Sequence, residues 1–291
     1  MHIRSTTTST TTSTSTTTRR TGRRLLTVAA AFAALALGAG TATAAPAWTE
    51  TGTARVDSLS GSQGLASRAD GSLLYRGLAS VPLDLRIAGW THVGDPDIAG
   101  GYTFDAYQGG DDAKKKMYAV TAPGGKRTTY EHALDSGELL NNSFATVSPD
   151  KQWLVSGEWG TMRRLQVFPT PVLNPSAPAP GTNLPQAGQI TLDRSVDNIQ
   201  GCDFTDATHL LCSSDGATKE VLEVTLDRAL DGAPVTGRVA SAFAIPKRSI
   251  CSGTFESEGV DYDTARGTLR VEMVPPSPCL VTTAVIAYRK G

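Results

Sequence analysis

Asn142-Ser143-Phe144-Ala145-Thr146-Val147, a turn at Pro149-Asp150, then Trp153-Leu154-Val155: this stretch is one phrase of a repeating text. A polar residue opens it, a short alternating run follows, the chain turns tightly, and a second alternating run closes it. Gln63-Gly64-Leu65-Ala66-Ser67 turns in the same way at Asp70-Gly71 into Leu73-Leu74-Tyr75, and Asp95-Pro96-Asp97-Ile98 turns at Gly100-Gly101 into Tyr102-Thr103-Phe104. Gln200-Gly201-Cys202-Asp203-Phe204 turns near Ala207 into Leu210-Leu211-Cys212, and Glu258-Gly259-Val260-Asp261-Tyr262 turns at Arg266-Gly267 into Leu269-Arg270-Val271. The five openings are 32, 47, 58 and 58 residues apart. Short strands recurring at such intervals predict a radial β repeat.

The residues between the phrases support an all-β chain. Alternating runs are read at Ala54 to Val56, Leu83 to Ile87, Met117 to Thr121, Leu165 to Phe168, Glu220 to Leu226, Ala240 to Ile245 and Val281 to Tyr288. Lys219 to Leu230 is the one stretch with a helical alternative, and the period-two spacing of Leu222, Val224 and Leu226 favours strand. Five phrases give about 49 residues per unit, which fits the four-stranded blades of a β-propeller. Five blades are expected, with six or seven as the wider range and a β-sandwich as the alternative fold. The first interval leaves room for three strands. The run Thr282 to Tyr288 is expected to pair with the N-terminal strand near Thr51 to Val56 and so close the ring. Pro169 to Gln189 holds six prolines and reads as a long loop between the third and fourth blades.

Residues 1–44 carry the marks of an export signal. Arg19, Arg20, Arg23 and Arg24 are the basic region, Leu25 to Leu37 is the apolar region, and Ala42-Thr43-Ala44 is the cleavage site before Ala45-Pro46. A secreted, extracellular protein with one domain over 45–291 and no membrane span after cleavage is expected. Five of the 27 basic residues and none of the 28 acidic ones fall in that signal, leaving 22 against 28, a formal charge near −6. That balance excludes nucleic acid as a partner, which needs a concentrated positive face. The one basic run, Lys114-Lys115-Lys116, reads as a solvated hairpin end. Four cysteines in an exported chain predict two disulfides. Cys202 stands opposite Cys212 if their hairpin turns at Ala207, and Cys251 and Cys279 lie almost symmetrically about Ala265-Arg266, on the outer strands of one blade.

Val147-Ser148-Pro149-Asp150-Lys151-Gln152-Trp153-Leu154-Val155 resembles the Ser-Pro-Asp-Gly-Lys phrase of TolB-like bacterial propellers, which implies the fold and nothing more. Glu258-Gly259 resembles the blade opening of gluconolactonase-type propellers, where the resemblance implies a carboxylate on a divalent metal. Asp95-Pro96-Asp97-Ile98 with Gly101-Tyr102 resembles the Asp-Pro opening of five-bladed arabinanase-type glycoside hydrolases, which implies Asp95 as a general base and Glu258 as its acid. Asn142 stands where that family places another acid, and Glu258 comes in a later phrase than the family's acid.

Propeller geometry sends the phrase openings to one rim around the axis: Gln63, His92 with Asp95 and Asp97, Asn142, Gln200, and Glu256 with Glu258. Three uses follow. The rim binds a small ligand or an extracellular protein without turnover. Alternatively Asp95 and Glu258 divide acid and base roles in a glycoside hydrolase or lactonase, or Asp95, Asn142 and Glu258 hold Ca²⁺ through hard oxygen ligands. Mutual satisfaction of these polar groups is the structural alternative. His92 reads as a turn residue, Trp153 and Trp159 as core, Asp263 as the cap of the turn before Arg266-Gly267, and Asn141-Asn142-Ser143 as a formal glycosylation sequon. No nucleophile elbow, zinc-protease helix or phosphate loop is present.

Overall fold

Alternation with a period of two dictates ladders, and ladders dominate the computed structural model, which describes residues 47–140 and 143–291. The expected export signal, Asn142 and the sequon at Asn141 lie outside the described residues. Strands make up 53% of the structure and helix 3%; among the described residues the helix is confined to one short connection between β3 and β4. The order along the chain is β1 (Trp48–Asp57), β2 (Gly64–Ser67), β3 (Leu73–Arg76), a 3-10 turn (Leu78–Ser80), α1 (Leu83–Ile87), β4 (His92–Val93), β5 (Asp97–Ala99), β6 (Tyr102–Gln108), β7 (Lys115–Thr121), β8 (Arg127–Ala133), β9 (Thr146–Val147) and β10 (Trp153–Ser156). It continues with β11 (Thr161–Pro169), β12 (Gly188–Asp197), β13 (Ile199–Asp206), β14 (His209–Asp215), β15 (Lys219–Leu226), β16 (Val235–Ala244), β17 (Glu256–Asp263), β18 (Thr268–Val274) and β19 (Thr282–Lys290).

Antiparallel ladders run β17-β18-β19-β1, β2-β3, β5-β6-β7-β8 with β4 also on β6, β9-β10-β11-β12, and β13-β14-β15-β16. The last two join through a parallel contact of β12 with β16 at Ile190–Leu192 and Val235–Gly237, making one eight-stranded sheet. That sheet is barrel-like and nearly closed, because its end strands β9 and β13 meet again. The first strands of the five ladders touch in cyclic order: β2 on β5, β5 on β9, β9 on β13, β13 on β17, and β17 back on β2. β1 pairs with β19 from Trp48↔Lys290 to Asp57↔Thr282, as the sequence implied, and the Gly291 amide donates to the Ala47 carbonyl at 3.1 Å.

Middle strands such as β7, β14 and β18 are buried on both faces, because alternate residues meet different neighbours, whereas β12 and β16 alternate buried with exposed and β1 is largely exposed. Leu210 and Cys212 of β14 pack with Leu165, Ile190 and Leu222, whereas Leu211 between them packs with Val260, Leu269 and Ile286. Phe104, Tyr118, Leu154 and Phe168 fill the space between the third and fourth ladders.

Several expectations need correction. Leu83 to Ile87 is helix rather than strand: Pro82 presets the N-terminus and only Leu85 is buried. The first unit carries two strands, not three, and Leu85 with Val81 and Trp90 packs onto Tyr107 and Met117 instead. The Pro-rich segment joins β11 to β12 within one ladder rather than two blades. It docks along β8, with Leu184 N–H donating to Glu131 O and Asn183 Oδ1 accepting from Ala133 N–H, and so covers an otherwise open edge. Lys116 is fully buried, because β7 begins at Lys115 and alternation turns the next side chain inward.

The disulfides are Cys202–Cys212 and Cys251–Cys279, a set that fits an extracellular protein. Cys202 and Cys212 are direct cross-strand partners. Cys251 and Cys279 lie in the loops before β17 and after β18 rather than on outer strands. No helix among the described residues is long and apolar enough to cross a membrane.

Candidate functional site

The first strands β2, β13 and β17 bring their starts to one place and their ends, with those of β5 and β9, to another. A cavity of about 470 Å³ lies at each end. The cavity at the starts is lined by Gln63, His92, Gln200, Glu256 and Glu258, joined by Trp159, Asn198 and Asp215. Five of the expected rim residues therefore meet. Asp97 does not join them: it lines the opposite cavity with Asp203 and Asp261. Asp95 lines neither.

Asp95 sits among the first strands, packed against Gly64, Gly201 and Gly259. Its Oδ1 accepts the Leu65 N–H at 2.9 Å and its Oδ2 the Val260 N–H at 3.0 Å, while its backbone bonds to Ser143 and Ala145. Glycines make room for it. A Cβ on Gly64, Gly201 or Gly259 would stand 2.3–2.4 Å from an Asp95 atom. Burial pushes the Asp95 carboxyl well above its usual range, past what its two amide donors restore. Both oxygens already hold amide protons, so metal ligation there would have to displace them.

Towards the opposite cavity, aspartates stitch neighbouring first strands to one another. Asp97 accepts from Val147 N–H at 2.7 Å, Asp203 from Tyr262 N–H at 2.7 Å, and Asp261 from Ser67 N–H and Oγ at 2.6 Å, with Arg270 at 2.9 Å. Burial and the Asp261 charge raise Asp97 to about 6, and burial with the Asp97 charge raises Asp203 well above its ordinary range. These carboxylates serve the seams of the ring.

At the first cavity the chemistry is different. Glu258 is pushed well above the carboxylate range by burial and by Glu256, Glu272 and Asp215, with Lys219 a weaker opposing influence. Burial lowers His92, leaving a neutral ring at pH 7. Trp159, expected in the core, is 55% exposed on the turn between β10 and β11; Trp153 does pack against the core. The Asn198 Oδ1 is buried without a hydrogen bond, on a backbone with φ +43°. His92 belongs to the short strand β4 rather than a turn, whereas Asp263 caps its turn as expected, accepting from Arg266 N–H at 3.1 Å.

Sequence reasoning missed Glu272. On β18 it shares a face with Arg270, alternating with Leu269, Val271 and Met273, which reads as a solvent face, yet it is fully buried and neither carboxyl oxygen makes a well-formed hydrogen bond. Burial raises it to about 8 despite the nearby Gly259 and Gly64 amides. Folding thus binds a proton between the unfolded pKa, about 4.3, and 8. Stability conferred by that proton is present at low pH and is lost as pH rises through this window, at up to about 1.4 kcal/mol per pH unit. Glu272→Gln is expected to flatten the decline of urea stability between pH 5 and 8; an unchanged slope would refute the assignment.

Among the described residues, only His132, Asp135 and Glu138 bring potential metal-ligand atoms within 4.8 Å of one another. Lys116 Nζ stands 2.9 Å from Glu138 Oε1, so the protein supplies its own cation there. No family model matches the sequence, and no curated protein matches it either, so the likeness to TolB-like and lactonase-type repeats rests on the quoted residues alone.

Proposed function

We propose that this chain is a five-bladed β-propeller that holds a small polar ligand at the end where its inner strands begin, without turnover. The cyclic contacts of β2, β5, β9, β13 and β17 support the radial reading over two facing sheets. One observation carries the binding reading: every ladder contributes to a single cavity. Gln63 enters from the first unit, His92 from β4, Trp159 from the β10–β11 turn, Gln200 from β13 and Glu258 from β17. Gln63, His92 and Gln200 offer uncharged donors and acceptors beside one exposed aromatic face, and the acidic Asp111, Asp215 and Glu256 disfavour an anion, so the lining suits a hydrogen-bonding ligand that carries no negative charge. Hydrolysis by an Asp95–Glu258 pair is less favoured, since Asp95 is walled off by glycines.

Thermal-shift titration with a panel of mono- and disaccharides, lactones and CaCl₂ tests this reading. A ligand bound by the folded state must raise the melting temperature. The shift is expected for an uncharged compound and is expected to disappear in Trp159→Ala and Glu258→Gln. Shifts that survive both substitutions would place binding elsewhere, and turnover of a lactone or glycoside would replace this reading with the enzymatic one.

A further inference from the structure

The same end of the ring carries an uncovered apolar surface. Of the ten large hydrophobic side chains that are exposed among the described residues, seven lie on four neighbouring connections. Strand register places these connections together. β3 ends where β2 begins (Gly64↔Arg76), β18 ends where β17 begins (Glu256↔Val274), and β1 ends where β19 begins (Asp57↔Thr282). Residues 58–62, 77–91, 246–255 and 275–281 therefore all emerge at the end that bears Gln63, His92 and Glu256.

A disulfide and backbone hydrogen bonds join the apolar residues to one another. The Cys251–Cys279 disulfide holds Ile250, wholly exposed, beside Leu280 and Val281. The Val281 carbonyl accepts the Ser58 N–H at 3.1 Å, next to exposed Leu59. The Leu59 carbonyl accepts the Ala79 N–H at 2.9 Å, next to exposed Leu78, whose carbonyl binds Arg86 of α1. Leu83 and Ile87, one helical turn apart, complete the band on the outer face of α1.

Three features bear on what this surface would dock against. The exposed members are all aliphatic, whereas protein interfaces concentrate aromatic residues at their cores. They project from separate loop tips and one short helix face rather than lining a groove. Basic residues accompany them: Lys247 and Arg248 precede Ile250, Arg86 precedes Ile87, and Arg55 donates to the Arg248 carbonyl at 2.6 Å. Arg55, Arg86 and Lys247 form no ion pair among the described residues, while exposed Asp84 is engaged by Arg127 and Arg248 by Glu50.

We propose that this end docks onto a lipid bilayer bearing anionic head groups, with Ile250, Val281, Leu83 and Ile87 entering the interface. Aliphatic tips sink to the acyl boundary while the flanking cations meet lipid charge. The proposal does not depend on the ligand cavity, although it would turn that cavity towards the membrane.

Co-sedimentation of the protein lacking residues 1–44 with phosphatidylcholine vesicles, with and without about 30% phosphatidylglycerol, tests it. Binding is expected only with phosphatidylglycerol, weakening as salt rises. Ile250→Ser with Val281→Ser is expected to lower the partition coefficient about tenfold or more, and Lys247→Glu about fivefold or more. These side chains are solvent-exposed, so an unchanged melting curve separates loss of docking from loss of fold. Absence of binding to either vesicle overturns the proposal. So does concentration-dependent dimerisation in sedimentation equilibrium that the serine variants abolish, which would make a second copy the occupant.

Discussion

Gly201→Ala is expected to be among the most damaging single-methyl changes in this protein, costing about 3–5 kcal/mol of stability. The new Cβ would stand 2.3 Å from Asp95 Oδ2 and 2.8 Å from the Val260 amide nitrogen. Neither neighbour is the free end of a flexible chain. The carboxyl is pinned by Leu65 and Val260 amides, and the nitrogen belongs to β17. Overpacking costs typically about 1–3 kcal/mol, and displacing the carboxyl strands two buried N–H groups at about 1–3 kcal/mol each. Against a total stability on the order of 5–15 kcal/mol, such a loss is large. Gly124→Ala serves as control, since nothing lies within 4 Å of its would-be Cβ. Urea denaturation should show a marked loss for Gly201→Ala and less than about 1 kcal/mol for the control. In an Asp95→Ala background the Gly201→Ala penalty should shrink, because the two changes share one space. Equal penalties in both backgrounds would show that Asp95 does not set the glycine requirement.

Lys116→Met is expected to cost about 3–5 kcal/mol, the usual consequence of removing one member of a buried ion pair. Lys116 Nζ lies 2.9 Å from Glu138 Oε1, donates to the Gly157 carbonyl at 3.1 Å, and also donates to Gln166 Oε1. Burial raises the proton affinity of Glu138, but the His132 hydrogen bond and the Lys116 charge outweigh it and hold its carboxyl well below the ordinary range. Taking away the ammonium leaves that carboxylate facing His132 at 2.9 Å and the Asp135 amide at 2.9 Å with its charge unmatched. Adding Glu138→Gln to Lys116→Met should therefore recover part of the loss in the same denaturation experiment. A double variant as unstable as the single one would mean that packing, not charge, dominates at this position.

The phrase openings were readable because alternation and turn residues act locally: Asp70-Gly71, Pro149-Asp150 and Arg266-Gly267 need no tertiary information to punctuate strands. The pairing of Cys202 with Cys212 followed from the same counting. What alternation does not report is which faces are covered. Lys116 and Glu272 follow a polar rhythm that ordinarily signals solvent, yet neighbouring ladders bury both. Leu83, Leu85 and Ile87 alternate as a strand would, but Pro82 starts a helical turn and only Leu85 finds a core. Asp95 escapes the grouping because the break at Gly94–Pro96 separates β4 from β5 and turns its carboxyl onto the Leu65 and Val260 amides instead of into the cavity that holds Glu258. Gln63, His92, Gln200, Glu256 and Glu258 were grouped from topology alone. Trp159 escaped because a tryptophan on a turn carries no periodic signal.

The clasp of β1 on β19 leaves Ala47 and Gly291 in direct contact through one amide. A peptide linker of a few residues could fuse these ends, and the 170–187 connection offers a place to cut the circle open again. A circular permutant built this way should retain the same ladders. Starting the chain there would turn the pairing of β1 with β19, which now joins residues as far apart as Trp48 and Lys290, into a local hairpin.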